Sequence, residues 1–392
     1  MTAVIGVPWL ANSLGLPGLP ELPERADVVV IGGGLAGAAA TAMLAAKGTD
    51  VVLLESRPDV GLGASGRHLG HVTTGLIEHP YRLVHAMGSE KAGQLLAFSA
   101  QNHALLQEWT AFEPSGGLWC ALDQREQPQI AMSAESLVEL GIAVEELRAE
   151  TVNERIGAQG LGPGMWLPGD GIVDPANVVR DLVARAPERA YVNCAVTAVT
   201  EDEAGAVVHV GGRTIGAELV VFAANAWCPT IDAVFDGKIT PIREQALRFA
   251  PSDVEVRAGR AGYGYTVWRQ APDGALLVGG CRWATPHMEV GETDEDRVVD
   301  RIQRKIEGFA RVHFPASTAT EITHRWSWIV STTCDGLPII GPLPGSARMI
   351  ACAGFCGNEA GLGVRAAQAV VDGILEGRTD GVPAFLAASR FV

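Results

Sequence analysis

The sequence predicts an α/β fold of two interleaved domains, one of them built around a parallel β-α-β unit. Three observations lead there. A short apolar strand at residues 28–31 runs into Gly32-Gly33-Gly34 and then into an alanine-rich helix at 35–47. A second apolar strand at 51–55 ends on Glu55, which makes the pair parallel with the helix as the crossover. The 392-residue chain exceeds one small core, yet no linker separates its later strands and helices, so the domains interleave rather than follow one another.

The elements follow in order. Residues 1–24, rich in Pro, Leu and Gly, read as an irregular arm laid over the surface. After the β-α-β unit, a loop at 61–75 is rich in Gly, Ser and His. Residues 89–112 read as a helix, and 117–150 as a strand, a turn and a short helix. A helix is expected at 175–185, with strands at 191–198, 207–210 and 219–223. Strand-like alternation marks 239–283, including Tyr263-Gly264-Tyr265-Thr266-Val267-Trp268. An amphipathic helix is expected at 293–311, with Val298, Ile302, Ile306 and Phe309 on one face. The chain finishes with a strand at 349–352, a glycine turn and a helix at 362–375.

Composition excludes several classes. Hydrophobic residues make up 47% and the formal charge is −15, which suits a packed core and disfavours nucleic acid or an anionic membrane surface as partner. The apolar run at 28–46 is broken by its glycines and is no membrane span. No charged n-region precedes the apolar start, since the first basic residue is Arg25. Seven scattered cysteines form no CxxC pair and no metal-ligand cluster. A cytoplasmic protein with reduced thiols is expected, with no metal.

Gly32, Gly34 and Gly37 fit the spacing G-x-G-x-x-G. Gly32 permits the turn out of the strand, Gly34 lets the backbone approach a pyrophosphate, and Gly37 lets the helix pack on the strand. Leu35 and Ala36 open the helix, whose free N–H groups attract phosphate. Glu55 stands where a ribose would receive its carboxylate. A strand before the motif and a helix after it make this a dinucleotide site rather than a plain glycine turn.

This fingerprint combines with three further stretches: Gly63-Ala64-Ser65-Gly66-Arg67-His68-Leu69-Gly70-His71, Asp335 to Pro342, and Ala353 to Leu362. Together they resemble the D-amino-acid oxidase superfamily, most closely its γ-glutamylputrescine oxidase and sarcosine oxidase branch. The resemblance implies FAD as cofactor. It implies a Rossmann-like FAD-binding domain formed by 25–88, 151–225 and 334–392, and an α+β substrate domain on a mostly antiparallel sheet formed by 89–150 and 226–333. The implied cofactor set is Gly32, Gly34, Leu35, Ala36, Gly37, Glu55, Ser56, Arg57, Ser65, Gly66, Arg67, His68, Leu69, Gly70, Val196, Asp335, Gly354, Gly357, Asn358, Glu359, Gly361 and Leu362. His68 lies where related dehydrogenases join histidine to flavin; a hydrogen-bonded histidine is the plainer reading.

The implied reaction is hydride removal from the carbon beside an amine nitrogen. Tyr263, Tyr265 and Trp328 are candidates for the aromatic wall, and Glu359 for a group beside the flavin, either receiving a substrate ammonium or complementing its helix. Asn358-Glu359 stands where that branch has His-Gly. No arginine lies a few positions before Asp335 to hold a substrate carboxylate, so an amine without an α-carboxylate stays open beside a secondary amino acid. O2 and another electron acceptor both stay open. Partner subunits or a homo-oligomer are compatible, and a flavin subunit of a larger complex and a non-enzymatic FAD-binding protein are the alternative functions.

Overall fold

The computed structural model describes residues 3–10, 14–203, 205–378 and 380–391. Strands Arg25–Ile31, Val51–Leu54 and Ala190–Tyr191 run parallel on one side of Arg213–Phe222, whose far end pairs in parallel with Met349–Ala353. Val28 to Ile31 and Val51 to Leu54 are all buried, as strands covered on both faces must be. Helix Leu35–Ala46 lies on one face against the last helix, Glu359–Glu376. Its alanines carry little side-chain bulk, which permits that close packing. Strands Val196–Glu201 and Ala206–Val210 extend the sheet as an antiparallel meander.

The second sheet has nine strands among the described residues and is mostly antiparallel. Its centre is the long pair Ile239–Pro251 and Ile322–Thr333, continued by Ala275–Gly280, Thr266–Gln270 and Gly259–Ala261. Helix Asp300–His313 covers it with Ile302, Ile306 and Ala310. The architecture is the expected α/β combination of a Rossmann-like unit and a mostly antiparallel second sheet.

Several expected boundaries move. Helix Ser89–Trp109 packs on the last helix and places Leu95, Phe98 and Leu106 in the cluster of the parallel sheet, while Leu96 joins Trp119 and Met165 of the nine-stranded sheet. Conversely, strand Gly164–Leu167 pairs with Gly117–Cys120 in the nine-stranded sheet, so the segment after 151 begins on that side. The expected strand at 191–198 splits, because Asn193 adopts φ +55°. Tyr263 to Tyr265 form a turn instead of a strand, since Gly262, Tyr263 and Gly264 all have positive φ. The amphipathic helix starts at Asp300, and Val298 precedes it. In the arm, Val4–Ile5 pairs with His324 and Arg325, and Trp9 packs edge-on against Trp326 at 5.4 Å.

No helix among the described residues is long and apolar enough to cross a membrane.

Candidate active site

The first strand delivers its glycines to a crowded turn. Gly32 has φ +112°, and a Cβ there would stand 2.6 Å from the Ala223 carbonyl oxygen. A Cβ on Gly37 would stand 2.0 Å from the Gly32 oxygen, so only glycine lets the helix sit this close to the strand. The opening N–H groups of the helix point at oxygen acceptors. Leu35 N–H donates to Ser65 Oγ at 3.0 Å, and Ala36 N–H to Glu359 Oε1 at 3.4 Å. Ser65 in turn donates its hydroxyl proton to Glu359 Oε2 at 2.9 Å. An anion-accepting helix start is therefore present and occupied by a carboxylate.

Glu55 is 8% exposed, and it accepts from Gly33 N–H at 2.8 Å, Arg57 N–H at 2.9 Å and the Ser56 hydroxyl at 3.1 Å. The Arg57 guanidinium turns away to Glu295, at 2.5 and 2.8 Å. Arg67 also reaches Glu295, at 3.3 Å, so these two arginines join the Gly-Ser loop to residues 293–299. Ser65 and Gly66 lie in the one-turn helix Ala64–Arg67, and Gly70 is wedged 2.1 Å (as a Cβ) from the Val173 oxygen.

A cavity of about 520 Å³ opens beside this cradle. One wall is the loop His68, Leu69 and His71 with the turn Phe355 to Ala360; the facing wall is Tyr263, Tyr265, Val267 and Trp328. It thus gathers His68, Leu69, Gly357, Asn358, Glu359, Tyr263, Tyr265 and Trp328 from the expected set. Asn358 is fixed by donating to Gly75 O at 2.6 Å and accepting from the Thr73 hydroxyl at 3.1 Å. Gly354 donates to Asn225 Oδ1 at 3.0 Å. Gly361 packs on the Thr73 carbonyl, and Leu362 is core. Two expected residues lie elsewhere. Val196 is taken up in its strand pairing with Val210, and Asp335 is exposed and ion-paired with Arg390 at 2.7 Å; its neighbour Gly336 lines the cavity instead.

Both histidines on the wall are neutral near pH 7. Burial, followed by the nearby Arg269 charge, lowers His68 to about 4 and His71 to about 3. His68 Nδ1 accepts from Gly70 N–H at 2.8 Å, which puts its proton on Nε2 and leaves neither nitrogen a free lone pair. The expected consequence is a non-covalent flavin: acid-precipitated protein releases all its colour to the supernatant, whereas a fluorescent protein band on a denaturing gel would contradict this.

The charged groups on the wall include one that sequence reasoning overlooked. Arg282 pairs with Glu244 at 3.0 Å, and Arg82 with Glu78 at 3.5 Å. Among the described residues the Arg260 guanidinium makes no ion pair or hydrogen bond; it lies over Trp119 at 3.8 Å from the ring centroid. It is 5% exposed, and burial lowers it to about 10, against a smaller opposing effect of Asp170, so it remains charged at neutral pH. Asp170 itself is engaged by the N–H and hydroxyl of Thr74, at 2.9 and 2.7 Å. By contrast, Arg243 is sealed in pairs with Glu289 and Glu292, and Arg325 with Glu307; neither lines the cavity. Nothing local distinguishes Arg260 in the sequence, because its place follows from strand Gly259–Ala261 pairing with Gly117–Cys120, each residue with one 141 positions earlier.

Behind this wall, Glu126 accepts from the N–H groups of Leu122, Gly262 and Tyr263. That carboxylate holds the left-handed Tyr263 turn in place, with His79 beside it at 3.3 Å and stacked on Trp119 at 4.3 Å between ring centroids. His79 and Glu126 are fully buried and take no part in the cavity. Among the described residues, no group of His, Cys, Asp and Glu is placed to hold a metal.

The comparisons agree with this geometry. The probable oxidoreductase OrdL of Rhizobium meliloti is 26% identical over 377 residues, covering 87% of this chain and 84% of the relative. The tRNA 5-methylaminomethyl-2-thiouridine biosynthesis bifunctional protein MnmC of Paraburkholderia phymatum is 29% identical over 374 residues, but this chain spans only 52% of its length. Glycine oxidase from Geobacillus kaustophilus superposes with a TM-score of 0.79 at 23% identity, covering 94% of this chain and all of that one. L-proline dehydrogenase from P. horikoshii gives the same score at 21% identity, covering 94% and 98%. Residues 27–372 match the DAO family, described as FAD dependent oxidoreductase, and the chain is a member of that family of FAD-dependent enzymes.

Proposed function

We propose that this chain oxidises the C–N bond of a carboxylate-bearing amine, an amino acid or N-substituted amino acid, to the imine. The observation that carries the proposal is Arg260, a buried and charged guanidinium that lines the cavity and, among the described residues, makes no ion pair or hydrogen bond. A charge so placed costs stability unless something pairs with it, and a substrate carboxylate meets that need in bidentate fashion.

FAD, when bound, accepts the hydride from the carbon beside the nitrogen. The N–H groups of Leu35 and Ala36 would hold its pyrophosphate and Glu55 its ribose, with His68 to Gly70 and Gly354 to Gly361 flanking the ring. The chain's own contribution is positioning. Arg260 anchors the carboxylate, while Tyr265 and Trp328 confine the substrate against the opposite wall. The positive charge of Arg260 also disfavours a second cation nearby, which keeps the substrate nitrogen in the unprotonated form that can release hydride. Neutral His68 and His71 add no competing charge. The imine then leaves for hydrolysis in water, and O2 or another acceptor takes the two electrons.

Product analysis tests the proposal: for each pair of electrons delivered, an acyclic substrate is expected to yield one carbonyl compound and one amine or ammonia, and a cyclic one the ring-opened amino oxo acid. A carboxylate-bearing substrate consumed without an oxo product would contradict C–N oxidation.

A further inference from the structure

The cradle for the cofactor pyrophosphate contains an anion supplied by the protein itself. Glu359 is the first residue of helix Glu359–Glu376, and its carboxylate crosses to the start of the other cofactor-side helix, Leu35–Ala46. There it takes the Ala36 N–H and the Ser65 hydroxyl, while Ser65 takes the Leu35 N–H. Its Oε1 lies 3.5 Å from where a Gly34 Cβ would stand, at the closest approach of the glycine turn. These are the donors that a dinucleotide's pyrophosphate needs. Two anions cannot share them: each would lose hydrogen bonds, and their charges would repel at close range in a poorly solvated pocket.

We infer that Glu359 is an internal occupant of the pyrophosphate position, which satisfies the helix start in the FAD-free protein and is displaced when FAD binds. The arrangement has opposite effects on the two states. Without FAD, the carboxylate completes the donors of Leu35 and Ala36 and ties the two helices together. With FAD, moving it aside opposes binding, so the cofactor is held less tightly than the glycine cradle alone would hold it. The side chain has room to move, because Glu359 also borders the 520 Å³ cavity.

The test uses the full-length protein, stripped of FAD by dialysis and then titrated with FAD while flavin fluorescence is followed. Glu359→Gln keeps the shape and removes the charge, and Glu359→Ala removes the occupant. Both variants are expected to bind FAD about three- to thirtyfold tighter than wild type, the range set by a charge at a helix terminus. The FAD-free Ala variant is expected to melt at a lower temperature than FAD-free wild type. Unchanged or weaker FAD binding by both variants would overturn the inference, since the carboxylate would then stand clear of the cofactor or help to hold it. If wild type takes up no FAD and the Ala variant does, occupancy is supported. If neither takes any, the cofactor assignment falls together with the inference.

Discussion

Replacing Arg260 by methionine is expected to lower kcat/KM for a carboxylate-bearing amine by roughly a hundredfold or more, while FAD remains bound. The magnitude follows from removing one partner of a buried charged hydrogen-bonded pair, which costs at least about 2–5 kcal/mol. Two further features make the result specific. Among the described residues the guanidinium makes no ion pair or hydrogen bond, and Asp170, the buried carboxylate whose charge it favours, keeps its bonds to Thr74, so the Met variant should melt within a few degrees of wild type. An amine lacking the carboxylate should be oxidised no worse by the variant than by wild type. Steady-state kinetics on matched substrates, together with thermal melts, check both. Equal loss for both substrate types, or a large fall in melting temperature, would make Arg260 structural.

Alanine at Gly37 is the second large effect. The added methyl would stand 2.0 Å from the Gly32 oxygen and 3.3 Å from the Ala223 side chain, both fixed in the parallel sheet. Backbone cannot swing aside as a long side chain can. Helix Leu35–Ala46 must lift from the strand by ~1 Å, which separates it from the last helix as well. A loss of about 2–4 kcal/mol in unfolding free energy is expected, with FAD affinity falling because the helix start moves away from the turn. Chemical denaturation and FAD titration read the two effects. Alanine at Gly308, where nothing lies within 4 Å of the added atom, should be close to neutral and serves as the comparison.

The parts of this enzyme that were legible in its sequence are those written by local spacing. Gly32, Gly34 and Gly37 announce a tight turn and a close helix wherever they fall, and the apolar runs at 28–31 and 51–54 announce buried parallel strands. Arg260 was not legible, because its unpaired state depends on Trp119, on Asp170 turning to Thr74, and on the pairing of strands far apart in the chain. Asp335 was expected near the cofactor; its partner Arg390 is 55 residues on, with no local mark of the pair. The turn at 262–265 carried a readable sign that alternation obscured, since Gly262 and Gly264 bracket Tyr263 and all three take positive φ. Which sheet the helix after residue 89 serves is illegible for a related reason. An amphipathic helix shows which face is apolar but not which sheet that face meets, and helix Ser89–Trp109 meets the last helix of the chain.

Recognition of a substrate carboxylate by Arg260 is what the proposed reaction of this FAD-dependent oxidoreductase depends on most. The most direct measurement is anaerobic reduction of the FAD-loaded protein, followed at the visible flavin band, with N-methyl amino acids and cyclic amino acids set against the same amines without the carboxylate. Carboxylate-bearing members are expected to bleach the flavin, and their decarboxylated counterparts to do so at least about a hundredfold more slowly. Bleaching at equal rates by both members of each pair would contradict it.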